Sequence, residues 1–204
     1  MSKKQSEDNN SCRAECSRKT SETDVRVSLN IQGKGETSLD TSMGYVDHML
    51  NLMGFWAGFD LEMKVVGDLE VDAHHSLEDA GLCLGDAMAE IVSARKDISR
   101  VGWAKVPMDE ALAEVILDIS GRPYLVYTDY ILPAIVFGQE KDIWREFFKS
   151  FSNRAGINLH INFIYGQNGH HLLESAFKAT GLALKQAFTG TDREVFSTKG
   201  HLDY

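Results

Sequence analysis

The chain has 204 residues, 43% of them hydrophobic, and a formal charge of −9. That length and apolar content suffice for a full core, and the acidic balance argues against a nucleic-acid partner, whose phosphates demand basic surface. No apolar run reaches the roughly 18 residues of a membrane span, so no membrane partner is expected.

Residues 1 to about 20 form a polar, charged leader, expected to be disordered, with 21–204 as the folded domain. Met1 to Asn10 lacks the apolar centre of a secretory signal. Three cysteines, an odd number, offer no disulfide framework, so a reducing cytoplasm is the expected compartment. Asp24 to Ile31 alternates with period two and predicts a half-buried strand. Gly33-Lys34-Gly35 turns the chain into a second strand near Glu36 to Asp40. Tyr45 to Trp56 predicts a helix with an apolar face of Met49, Leu50, Leu52, Met53 and Trp56. Phe59 to Val65 predicts a strand, and His74 to about Ala94 a helix. Strands at Ala111–Ile119 and Pro123–Thr128 follow, then a helix at Asp142–Arg154 burying Trp144, Phe147, Phe148 and Phe151. Ile157 to Tyr165 predicts a strand and His170 to Phe188 a helix.

The order repeats. His74-His75-Ser76-Leu77-Glu78 recurs as His170-His171-Leu172-Leu173-Glu174, 96 positions later, with Ala80, Gly85 and Ala87 matched by Ala176, Gly181 and Ala183. Leu29-Asn30-Ile31 echoes Leu117-Asp118-Ile119, and Ala57-Gly58 echoes Ala155-Gly156. A duplicated unit accounts for this, with repeats at about 21–96 and 97–204. Each half is β-β-α-β-α. A sheet backed by two helices buries one face, so the expected fold is α+β, two halves joined helix layer to helix layer in a sheet–helices–sheet sandwich.

The doubled motif carries the chemistry. Positions i, i+3 and i+4 share a helix face, so each copy can aim imidazole and carboxylate at one point. That donor set suits Mn²⁺, with Fe²⁺ or Zn²⁺ as alternatives. Four of the seven histidines lie in the two pairs. His48 and Glu146 extend the candidate ligands to His48, His74, His75, Glu78, Glu146, His170, His171 and Glu174, enough for two ions with positions open to substrate. Arg100, Arg122, Lys178, Ser197 and Lys199 lie in or beside glycine-containing turns or on the motif helix, and are candidates for an anionic, phosphate-bearing small molecule.

Several segments together resemble the imidazoleglycerol-phosphate dehydratases of histidine biosynthesis. They are Asp47-His48-Met49-Leu50, Asp72-Ala73-His74-His75-Ser76-Leu77-Glu78-Asp79, Pro107-Met108-Asp109-Glu110-Ala111-Leu112, Asp118-Ile119-Ser120-Gly121-Arg122-Pro123, His170-His171-Leu172-Leu173-Glu174, Phe177-Lys178-Ala179 and Ser197-Thr198-Lys199-Gly200. The resemblance runs from about Lys19 to Leu202. It implies repeats of the ribosomal S5 domain 2-like kind and dehydration of D-erythro-imidazoleglycerol phosphate to imidazoleacetol phosphate. It also implies two Mn²⁺ per subunit, shared between subunits of a homo-oligomeric shell of about 24 copies built from trimers. The eight candidate ligands match the family's metal set, although many members have His where Glu146 stands. Glu22 matches an active-site glutamate and, with Glu174, is a candidate for proton transfer. Arg100, Arg122, Lys178, Ser197 and Lys199 match substrate contacts, and His160 is read as structural. Trp56 replaces a His of many members, and Phe196 replaces a Pro.

Metals are expected because the hydrogen to be removed is not acidic and hydroxide leaves poorly. Cations on both ring nitrogens would stabilise an imidazolate able to expel the hydroxyl. The rival readings are a dinuclear phosphoester hydrolase, which would release inorganic phosphate, and a metal-storage shell, which leaves the cationic residues unexplained.

Overall fold

A computed structural model of the chain describes residues 12–95 and 97–191. The first half runs β1 (Arg13–Lys19), β2 (Thr23–Asn30), β3 (Thr37–Asp40), α1 (Gly44–Ala57), β4 (Asp60–Gly67), α2 (His74–Ala94). The second runs β5 (Val101–Met108), β6 (Ala111–Ile119), β7 (Tyr124–Thr128), a short hairpin β8 (Ile135–Val136) and β9 (Gln139–Glu140), α3 (Asp142–Ala155), β10 (Ile157–Tyr165), α4 (Gly169–Ala187). The sheets have orders β1-β2-β4-β3 and β5-β6-β10-β7. In each, the last pair is parallel and the others antiparallel. Period two does the sorting: β2 buries Val25, Val27 and Leu29, and β10 buries Ile157, Leu159, Ile161 and Phe163. None of the described helices is long and apolar enough to cross a membrane.

Helices α1 and α2 cover the first sheet, α3 and α4 the second, and the two helix layers meet, α2 on α3 and α1 on α4. Trp144, Phe147, Phe148, Phe151 and Phe177 fill the centre, with Phe148 and Phe177 ring centroids 4.9 Å apart. The matched glycines set the approach. A Cβ on Gly85 of α2 would lie 2.8 Å from the Phe151 carbonyl on α3, and one on Gly181 of α4 would lie 2.5 Å from the Met53 carbonyl on α1. Gly58 and Gly156 end α1 and α3 in the left-handed region, at φ 72° and 63°.

Each four-stranded sheet has one strand more than the sequence predicts, and the short β8–β9 hairpin was not predicted either. Residues 12–20 are not a loose leader: β1 pairs with β2 along its length, from Arg13 opposite Asn30 to Lys19 opposite Asp24. Periodicity does not reveal it, because an edge strand needs one apolar side only, and here that side carries small residues, Ala14 and Cys16. Residues 1–11 of the expected leader lie outside the described residues. Strand β5 was hidden similarly. Its inward positions are Gly102, Ala104 and Val106, small because the α4 backbone at Ala183 packs against Gly102.

Alanine in place of glycine inside a helix ordinarily stabilises by up to about 1 kcal/mol. At Gly181 the new methyl meets α1 backbone, so Gly181→Ala is expected to destabilise by roughly 1–3 kcal/mol, as overpacking does. Urea unfolding of the variant checks the sign. A stabilised protein would mean that the α1–α4 approach is looser than described.

Candidate metal centre

Two helix starts build the site. At α1, the Asp47 carboxylate accepts hydrogen bonds from the Thr41 amide (3.0 Å) and hydroxyl (2.7 Å), which ties the first turn to the chain leaving β3 and presents His48. At α4, the Asn168 side chain caps the helix by accepting from the His170 amide at 2.9 Å. His170 and Glu174, one turn apart, share the face turned to α1.

There the His48 and His170 Nε2 atoms lie 3.3 and 3.1 Å from Glu174 Oε2. All three ligand atoms fall within 4.8 Å of one another, and they are the one group of three such residues this close among the described residues. Neighbouring ligands of an ion held at about 2.1 Å stand about 3 Å apart, so the donor set fits a divalent cation in chemistry and spacing. Burial pushes the Glu174 carboxyl up, but the Lys178, His48 and His170 contacts outweigh it and hold the group below its ordinary range, as an anion. Lys178 Nζ sits 2.5 Å from Glu174 Oε1, the oxygen facing away from the histidines, and 5.8 Å from the centre of the Trp56 ring. Trp56 is thus half-buried beside a cation, not sealed in the core.

The first motif forms a separate cluster at the start of α2. His74 Nε2 is 3.9 Å from Glu78 Oε2, and Glu22 Oε2 is 3.8 Å from His75 Nδ1. The second histidine of each motif is anchored alike: His75 Nδ1 lies 3.0 Å from Asp68, and His171 Nδ1 lies 2.6 Å from Glu110. Asp68 and Glu110 raise the pKa of their histidines. His171 and three backbone amides bring Glu110 down to about 2. A carboxylate on Nδ1 fixes the tautomer and leaves Nε2 as the outward donor, the usual support of a ligating histidine.

Within one chain the motifs do not meet. Glu146 lies on α3, which packs against α2, 98 positions after His48, the same offset as Gly58 to Gly156. Its carboxylate is nonetheless engaged by Lys149 at 2.7 Å and approached by Arg145 at 4.0 Å. Arg100 is far from the triad. Its amide donates to the Ala187 carbonyl at the far end of α4, about 26 Å along the helix from His170 at 1.5 Å per residue. Its guanidinium grips Asp118 through two bonds of 2.5 and 2.8 Å. Arg122 follows Gly121, whose amide bonds Gly156 beyond the end of α3, again away from the triad. Ser197, Lys199 and Phe196 lie outside the described residues. His160 stands in the middle of β10, between Ile116 and Val126 on the neighbouring strands.

The sequence alone assigns no role to Asp68 or Glu110. Glu110 precedes His171 by 61 residues, and only the β5–β6 turn brings it there, so no local spacing signals it. A cavity of about 540 Å³ opens on the outer face of the first sheet, lined by Glu15, Arg26, Asp40, Glu62 and Lys64 among others. Its lining contains no imidazole, and the triad's chemistry outweighs its size.

A sequence model of the family described as imidazoleglycerol-phosphate dehydratase matches residues 41–184. Curated relatives of that name include one from Maridesulfovibrio salexigens, 59% identical over 190 residues, covering 93% of this chain and 97% of the relative. Another, from Oleidesulfovibrio alaskensis, is 61% identical over 191 residues with the same coverages. Among solved structures, the Pyrococcus furiosus enzyme in complex with (S)-C348 superposes with a TM-score of 0.80 at 35% identity, covering 91% of this chain and 99% of that one. The Staphylococcus aureus enzyme gives 0.78 at 33% identity, covering 87% and 99%.

The anchoring bonds are open to test. In metal-free protein, NMR titration should find His171 protonated to a higher pH than an ordinary imidazole, because Glu110 stabilises the charged ring. Glu110→Gln removes that charge and should move the His171 midpoint down. An unmoved midpoint would contradict the anchor.

Proposed function

The chain belongs to the imidazoleglycerol-phosphate dehydratase family, hydro-lyases of histidine biosynthesis, and from that premise we propose that it dehydrates D-erythro-imidazoleglycerol phosphate to imidazoleacetol phosphate with two divalent ions per subunit, Mn²⁺ foremost and Fe²⁺ or Zn²⁺ as alternatives. The observation that carries the metal reading is the His48–His170–Glu174 triad, with imidazole and carboxylate donors at ligand spacing. When bound, such ions supply Lewis acidity toward an imidazole ring.

The chain's residues divide the rest of the work. His48, His170 and Glu174 would hold one ion. His74, His75, Glu78, His171 and Glu146 are the remaining donors; Glu146 must first leave Lys149. Lys178 at Oε1 keeps Glu174 ionised and oriented. Glu22, beside His75, and Glu174 are the groups assigned to proton transfer, one at the departing hydroxyl oxygen and one at the adjacent carbon. Arg100, Arg122, Lys178, Ser197 and Lys199 would grip the phosphate, so binding energy there fixes the reacting end.

The distances support a site shared between subunits. Arg100 and Arg122 lie about a helix length from the triad of their own chain, and the outward Nε2 atoms of His75 and His171 belong to separate clusters. Neighbouring copies would complete both ligand set and phosphate grip, which supports a shell of about 24 subunits built from trimers.

An assay that follows imidazoleglycerol phosphate and measures metal on the same sample tests this reading. The expected product is a ketone that retains its phosphate, and His171→Ala should lower metal content and turnover together. Release of inorganic phosphate would instead favour a hydrolase. Light scattering before and after chelation tests the shared site: metal removal should shrink the particle to a smaller species, a trimer by this reading. A monomer in both states would exclude ligand sharing.

A further inference from the structure

A strained turn stands over the triad. The segment between β7 and α3 leaves the second sheet at Asp129 and returns at Lys141, whose Nζ lies 3.1 Å from the Asp129 carboxylate. At its tip, β8 and β9 are joined by two residues, Phe137 and Gly138, both at positive φ (56° and 78°). A two-residue turn of this kind needs positive φ at both places, for which Gly or Asn is the unstrained choice. Gly fills only the second. A bulky aromatic in the first is a conformational outlier.

The strained backbone delivers the ring to one place. Phe137 packs edge-on to His170, centroids 5.0 Å apart, stacks on Tyr45 at 5.5 Å and meets Trp144 at 6.3 Å. The hairpin itself rests on the start of α4, where a Cβ on Gly169 would come within 2.8 Å of Val136. His170 needs such support. His75 and His171 are held by carboxylates at Nδ1, whereas among the described residues His170 has no hydrogen-bond partner at Nδ1. Its Nε2 contact with Glu174 fixes one atom of the ring, and the neighbouring His48 and His171 rings, at 5.4 and 6.1 Å, stand farther off than Phe137.

We infer that Phe137 is a positioning residue for His170: its ring fixes the imidazole plane so that Nε2 stays directed at Glu174 and His48. Aromatic pairs at this separation favour the edge-to-face arrangement seen here, so the contact is directional as well as bulky. The inference rests on the reading of the triad as a metal site. It assigns to the ring of Phe137 the task that Asp68 and Glu110 perform for His75 and His171.

Positioning and mere packing predict different pairs of numbers. Phe137→Gly relieves the positive φ but loses the ring's packing on Tyr45 and Trp144, so the two effects oppose and its melting temperature should change little while Mn²⁺ affinity falls by about tenfold, the low end for losing a group that orients a ligand. Phe137→Leu keeps bulk without an aromatic edge and should also bind Mn²⁺ more weakly. Phe137→Tyr keeps the ring and should bind like wild type. Calorimetric Mn²⁺ titration and thermal melts of metal-free protein read both quantities. Unchanged affinity in the Gly and Leu variants would overturn the inference, as would an affinity loss that tracks the melting temperature across all three, Tyr included. If wild-type protein binds no Mn²⁺, the metal reading fails first and this inference with it. Wild-type binding with no loss in the variants would sink the inference alone.

Discussion

Everything at the triad depends on how closely α1 can approach α4. His48 belongs to the first half and His170 and Glu174 to the second, so their donors meet only because two helices from different repeats lie nearly backbone to backbone. Gly181 permits that contact, as Gly85 does for α2 on α3. A side chain at either position would push the helices apart, and a separation of an ångström spoils ligand spacing that must hold to a few tenths. The packing that closes the core is thus the same packing that forms the site, and the aromatic cluster around Phe148 and Phe177 gives it rigidity.

Charge at the site is arranged in layers. Glu174 is kept anionic in a buried position by Lys178 and the two histidines, a combination that desolvation alone would oppose. His171 beside it takes its orientation from the Glu110 carboxylate, as His75 does from Asp68 in the other cluster, and His170 takes its own from an aromatic ring. The duplication makes the two half-sites similar but not equal. Where the first half supplies His48, the second supplies Glu146, which is engaged by Lys149, so the complete triad stands at one of the two related places. The two half-sites are unequal, and the cations Arg100 and Arg122 lie at the far ends of α4 and α3, away from the triad of their own chain.

The family resemblance and the doubled motif were legible because they are local: a His-His-x-x-Glu word on a helix states its own geometry. Most strands and all four helices were legible for the same reason, their burial following period two or one helix face. The edge strand β1 and the strand β5 were not. Their inward residues are Ala, Cys, Gly and Val, and smallness there answers to helices that pack on them from elsewhere in the chain. Glu110 and Phe137 were silent for a similar reason, since each acts on a histidine far along the chain.

By itself the sequence determined the duplicated α+β architecture, the family and the types of residue available for chemistry, because periodicity and motif spacing act over a few residues. Tertiary structure alone decided which of those residues meet. It joined His48 to Glu174 across 126 positions, kept the two motifs apart, sent Arg100 to the opposite end of α4 and seated Phe137 on His170. The physical reason is that ligand geometry is set by contacts between distant segments, and those depend on the space that neighbouring side chains leave rather than on any local pattern.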